Sequence, residues 1–162
     1  MNKLTQIFHT SMPIIGMVHL PPLLGFNGTP GMDKVIEKAL ADLDALEQGG
    51  VDGVLIENEY DRPHRVTVGP ETIAAMTIVT QEVIKKARRV IVGVEILLND
   101  PKASLAVAAA TDAQFIRTDY FVDRMKRDEY GGEMEIDPKA LLAYRKSIDA
   151  EKILILADIQ VK

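Results

Sequence analysis

Residues 53–70 read GVLIENEYDRPHRVTVGP. Gly53 to Ile56 are apolar and end on large aliphatic side chains, as a buried strand requires. Charge then arrives at once: Glu57, Asn58, Glu59, Asp61, Arg62, His64 and Arg65 fall within nine residues. A strand whose carboxyl end runs straight into polar groups is either leaving the core for solvent or forming one wall of a site.

The transition recurs. Apolar runs of strand length stand at 13–20 (PIIGMVHL), 51–58 (VDGVLIEN), 90–97 (VIVGVEIL), 113–119 (AQFIRTD) and 152–160 (KILILADIQ). Segments of helical period separate them. In the first, Ile36, Leu40, Leu43 and Glu47 share a face that Val35, Ala39 and Leu46 widen, and Gly49-Gly50 stop the helix. In the second, Pro70 opens the helix, and Ile73, Met76, Val79, Thr80, Val83, Ile84 and Ala87 line one side. Glu71 faces the positive end of its dipole and Arg88-Arg89 the negative end. The last two open alike, DPKASL at Asp100 and DPKALL at Asp137, each an Asp N-cap followed by Pro. Strands alternating with helices predict an α/β fold with a parallel sheet. Two architectures fit: a five-stranded doubly wound sheet, or the first five strands of a TIM (β/α)8 barrel, which needs about 250 residues. Length alone favours the doubly wound sheet; the ending at ILADIQVK, just after a strand with no closing helix, argues for the barrel.

Side chains alternate along a strand. One face then holds Ile15, Met17 and His19; Gly53, Leu55 and Glu57; Ile91, Gly93 and Glu95; Phe115, Arg117 and Asp119; Leu154, Leu156 and Asp158. Each strand carries a polar group near its carboxyl end on the same parity. Unpaired buried charge costs several kcal/mol, so core packing does not explain the pattern, whereas the mouth of a parallel barrel does. His64 and Asp61 read as solvated loop residues, and Glu59, Arg62 and Arg65 as surface charges.

The chain has 162 residues, 47% hydrophobic, enough for one domain over 1–162 without an internal linker. A net charge of −5 opposes non-specific nucleic-acid binding. Cysteine is absent, so disulfide and thiolate chemistry are excluded. No export signal is read at the start, and the longest apolar runs are too short to span a bilayer. A soluble cytoplasmic protein is expected. Neither H-E-x-x-H, Walker A nor G-x-G-x-x-G occurs, and no cofactor is assigned. Glu57, Glu95, Asp158 and His19 are suitable ligand types for Mg²⁺, Mn²⁺ or Zn²⁺, but their spacing carries no metal signature and no metal is assigned.

The segments GMVHLPPLLG (16–25), GGVDGVLIEN (49–58), GPETIAAMT (69–77), LNDPKASLAVAAATDAQFIR (98–117) and ADIQVK (157–162) together resemble the BtpA family. The resemblance implies a TIM barrel roughly a hundred residues longer than this chain, of which this is the amino-terminal portion. Such a portion would leave sheet edges open and self-associate as a homo-oligomer. It also implies a link to photosystem I accumulation at the thylakoid surface in the founding cyanobacterial member. Departures from the family's usual residues, Glu95 among them, add acid at the mouth and suit a more cationic or metal-bound ligand. The expected function is a barrel enzyme acting on a small polar metabolite, a sugar or nucleoside derivative, by acid/base chemistry. Glu57 or Asp158 would be general base or acid, and His19 a hydrogen-bond donor or proton shuttle. Asn58, Glu95, Arg117 and Asp119 would bind substrate, Arg117 through an anionic group. The alternative is a non-enzymatic assembly factor for photosystem I or another membrane complex, peripherally associated with the membrane.

Overall fold

The computed structural model describes residues 3–122, 124, 126–128, 132–134 and 137–159. Along them run α1 (Lys3–Phe8), β1 (Ile15–His19), α2 (Met32–Gly49), β2 (Gly53–Glu57), α3 (Pro70–Lys86) and β3 (Ile91–Glu95). There follow α4 (Pro101–Thr111), β4 (Phe115–Thr118), β5 (Lys126–Arg127), β6 (Gly132–Glu133), α5 (Pro138–Ser147) and β7 (Leu154–Ala157). Strands β1, β2, β3, β4 and β7 form one sheet in that order, every neighbouring pair parallel. After β4, β5 and β6 pair antiparallel, Lys126 with Glu133 and Arg127 with Gly132.

Strand order separates the two architectures. A doubly wound sheet reverses its order at a switch point and carries helices on both faces. Here the order is sequential. Val18, Val54, Ile56, Val92, Val94 and Ile116 pack on one side of the sheet against α2, α3, α4 and α5. The fold is therefore α/β, a partial TIM-like unit with α2, α3, α4 and α5 on a single face.

Local chemistry explains the helix boundaries. α2 stops where Gly50 takes φ 82°, and its N–H reaches the carbonyls of Glu47 and Leu46. Asp100 and Asp137 cap α4 and α5, accepting from the N–H of Ala103 and Ala140 with a proline next in each chain. The deepest stripe on α2 is Val35, Ala39, Leu43 and Glu47, with Ile36, Leu40 and Leu46 on its flank. Arg88 and Arg89 lie beyond α3, whose last turn holds Lys85 and Lys86. They serve α2 instead: their N–H groups donate to Glu47 Oε1 at 2.8 and 3.2 Å, and the Arg89 guanidinium donates to the Glu47 carbonyl.

The opposite face of the sheet is lined by Ile15, Leu55, Ile91, Phe115, Leu154 and Leu156. α1 plugs its amino-terminal end. The Phe8 ring lies 5.5 Å from that of Phe115, tilted by 55°. Two strand glycines make room for these rings. A Cβ on Gly53 would sit 2.7 Å from the Phe8 ring, and one on Gly93 would sit 2.3 Å from Phe115. With the amino-terminal end closed by aromatics, the polar ends of the strands are the open mouth.

Candidate functional site

Register carries the polar groups to one level. His19 is the strand partner of Glu57, and Glu57 of Glu95. Gly93 partners Phe115, so Arg117, two residues on, faces the same level as Glu95. Asp119 and Asp158 follow directly after β4 and β7, and the Asp158 N–H donates to the Thr118 carbonyl at 3.1 Å.

Arg117 is the centre. Its Nε and Nη2 grip Asp158 as a fork, at 3.1 and 2.6 Å. Its Nη1 donates to Glu57 Oε1 and to Glu95 Oε2, both at 3.1 Å. Asp119 Oδ1 lies 3.2 Å from Nη2, an ion pair without hydrogen-bond geometry. On the far side of Glu57, His19 Nε2 stands 3.2 Å from Oε2. Four carboxylates thus surround one guanidinium. Three of them, Glu57, Glu95 and Asp119, are buried, while the side chains of His19, Arg117 and Asp158 are 42%, 30% and 32% exposed. An anionic substrate group could reach Arg117 only by displacing a carboxylate.

Surplus acid in a low-dielectric site resolves itself by protonation. Burial, the neighbouring Glu57 carboxylate and nearby Asp119 push the Glu95 carboxyl up to about 10, against the opposing pull of Arg117. Glu95 therefore keeps its proton at neutral pH. Asp119 is also raised, first by burial and then by Asp158 and Glu57, with Arg117 opposing. Arg117 is held yet more firmly charged, chiefly by its bond to Asp158.

Asn58 sits elsewhere. It is 1% exposed, its Nδ2 donates to Asp61 Oδ2 at 3.0 Å and its Oδ1 accepts the Leu97 N–H at 2.8 Å. Asp61 also accepts the Leu23 N–H at 2.7 Å. The pair ties the loops after β1, β2 and β3 together beneath the mouth. Asp61 is fully buried, so its reading as a solvated loop residue is corrected. Burial pushes its carboxyl up, against these two hydrogen bonds. His64 is partly buried on the Glu59 carbonyl, while Arg62 pairs with Glu59 and Arg65 with Glu71 at the rim. Sequence reasoning passed over Asn99, whose Oδ1 accepts the Thr118 hydroxyl at 2.8 Å beside Asp119. Only its place after β3 could have flagged it. A cleft of about 350 Å³, lined by Thr67, Asn99, Lys102, Tyr120 and Asp137 among others, includes none of the cluster residues.

Among the described residues, no group of three or more His, Asp or Glu side chains is arranged to hold a metal ion. None of the helices among them is long and apolar enough to cross a membrane.

Comparison with known proteins places this geometry in a lineage. An uncharacterised protein of Archaeoglobus fulgidus is 38% identical over 149 residues, covering 92% of this chain and 59% of that protein. The photosystem I biogenesis protein BtpA of Synechocystis is 37% identical over 161 residues, 98% of this chain and 55% of its own length. The sgc region protein SgcQ of Escherichia coli is 42% identical over 120 residues, 72% of this chain and 44% of its own. The chain thus spans a little over half the length of the first two of these curated relatives. No solved structure matches it significantly. The model of the BtpA family matches residues 10–162, and the chain belongs to that family.

Proposed function

We propose that these β/α units belong to a single-domain TIM-like barrel that acts on a small polar metabolite, a sugar or nucleoside derivative, by acid/base chemistry at the mouth of the sheet. The observation that carries the reading is the clustering of Glu57, Glu95, Asp119 and Asp158 round Arg117, with His19 at its solvent side. A purely structural network would match its charges; this one holds more acid than base. Glu57 is the group for proton transfer. It is buried, oriented by Arg117 on one oxygen and by His19 on the other. His19 is the half-exposed carrier that exchanges the proton with solvent. Asp158 opens toward solvent and is the second carboxylate, within reach of a bound hydroxyl.

The test is a thermal-shift screen of polar metabolites against the wild-type protein and the variants Glu57→Gln and His19→Asn. A hit that raises the melting temperature of the wild type and loses its effect in both variants supports the reading. Hits that persist in both variants place the ligand away from this mouth and refute it.

A second reading follows from the Synechocystis relative's name: an assembly factor that docks on a membrane complex. Co-sedimentation with anionic vesicles at low and high salt tests it, and absence of binding at both refutes peripheral association.

A further inference from the structure

We propose that the mouth of the sheet selects a ligand carrying a protonated amino group, seated against Glu95 and Asp119 beside Arg117. This rests on the reading of the mouth as a ligand site and adds the charge of the ligand to it.

Three observations carry it. First, the charges do not balance: one guanidinium faces four carboxyl groups within 2.6 to 3.2 Å. Second, Arg117 is spent. Its Nε, Nη1 and Nη2 all donate to these carboxylates, so the site presents acceptors to an incoming molecule and has few donors to offer an anion. Third, two buried carboxyl oxygens at the cluster lack a hydrogen-bond donor, Asp119 Oδ1 being held only by its 3.2 Å ion pair with Arg117 Nη2. Glu95 is 1% exposed and its Oε1 has no hydrogen-bond partner; Asp119 is 8% exposed and its Oδ1 has none either. A buried acceptor left unmade costs about 1–3 kcal/mol, more when charged. Such a cost at a cluster open to solvent through Asp158 and His19 marks groups awaiting a donor.

An ammonium group fits these acceptors. It brings three donors and one positive charge, which suits acceptors such as Glu95 Oε1 and Asp119 Oδ1 and offsets part of the excess acid. A divalent ion fits less well. Among the described residues, no three His, Asp or Glu side chains are arranged to hold one. Because Glu95 holds a proton in the free protein, an ammonium that pairs with its carboxylate releases that proton. Affinity then tightens with pH, by up to about tenfold per unit.

The experiment titrates the protein with matched pairs that differ only in charge: glucosamine against glucose, and putrescine against 1,4-butanediol. Ribose 5-phosphate and MgCl₂ serve as further arms, and calorimetry is run at pH 6, 7 and 8. The amine of each pair is expected to bind at least tenfold tighter than its alcohol, to tighten with pH, and to lose that advantage in Glu95→Gln. Equal or tighter binding of the alcohols or of the phosphate overturns the amine selectivity and leaves the mouth as a site. Magnesium binding without amine binding overturns it in favour of a metal. Amine binding that ignores Glu95→Gln, or that weakens as pH rises, also overturns it. Failure of every probe to bind overturns both the amine preference and the ligand site itself.

Discussion

Glu95→Gln is the most incisive perturbation of this molecule. Glu95 is 1% exposed, and its carboxyl is pushed from the ordinary 4.5 up to about 10. The native state therefore keeps a proton that the unfolded chain gives up above about 4.5. Over that window the native state binds more protons, so the stability this group contributes is fully present at acid pH and falls as pH rises. One proton is worth about 1.4 kcal/mol per pH unit. Between pH 6 and 9 the loss reaches at most about 4 kcal/mol. With a typical dependence of 1–3 kcal/mol per molar urea, the unfolding midpoint should drop by on the order of 2 M across those three units. Asp119, raised in the same sense, steepens the acid end. Glu47, whose carboxyl is held low by the N–H groups of Arg88 and Arg89 and by the Arg88 charge despite its burial, acts in the opposite sense. Its contribution is lost only as pH falls below the ordinary carboxylate range, outside this window. Glutamine copies the protonated carboxyl in shape and charge. Glu95→Gln should match the wild type near pH 4.5, exceed it by about 2 kcal/mol at pH 6 and lose most of the slope above that. Urea titrations of both proteins at pH 6, 7, 8 and 9 provide the comparison. Parallel profiles, or a wild type that gains stability from pH 6 to 9, would refute the claim that Glu95 is neutral in the folded protein.

Other outcomes follow from the packing. Phe8→Ala removes the ring that closes the inner face against Phe115, and should cost about 3–5 kcal/mol in urea unfolding; a loss below about 1 kcal/mol would mean α1 does not plug the sheet. Gly93→Ala drives a methyl into the fully buried Phe115 ring and should cost about 1–3 kcal/mol, part of it recovered by pairing with Phe115→Leu. Asn58→Ala strands the Leu97 N–H and one oxygen of Asp61 in the interior, for a loss of about 3 kcal/mol. An Asn58 that instead touched ligand would leave stability unchanged when replaced, so the melting temperature alone separates the two roles.

Much of the mouth was legible in the sequence because strand periodicity is rigid. Side chains alternate without exception, so assigning Glu57 to the inner face of β2 also placed Gly53 and Leu55 there, and the same parity on β3 and β4 selected Glu95 and Arg117. Helix caps were equally legible: Asp100 and Asp137 act on residues three positions away, where no tertiary information is needed. Loops were less so. The sequence assigned Asn58 to substrate and Asp61 to solvent, yet both are buried because their partners, Leu23 and Leu97, come from other loops. Arg88 and Arg89 looked like ends of their own helix and instead serve α2, across more than 40 residues of sequence.

The sequence by itself determined the alternation of strands and helices, the inward parity of each strand and the excess of acid among the inward groups, because these depend on near neighbours and on composition. Tertiary structure decided what that excess means. Strand order set all the long helices on one face and ruled out the doubly wound sheet. Stagger between parallel strands brought Arg117 within 3.2 Å of four carboxyl groups from four segments of chain. That crowding, together with burial, is what keeps a proton on Glu95 and leaves its Oε1 without a partner. Protonation and orphaned acceptors depend on distances between residues remote in sequence, and such distances exist only once the sheet is assembled.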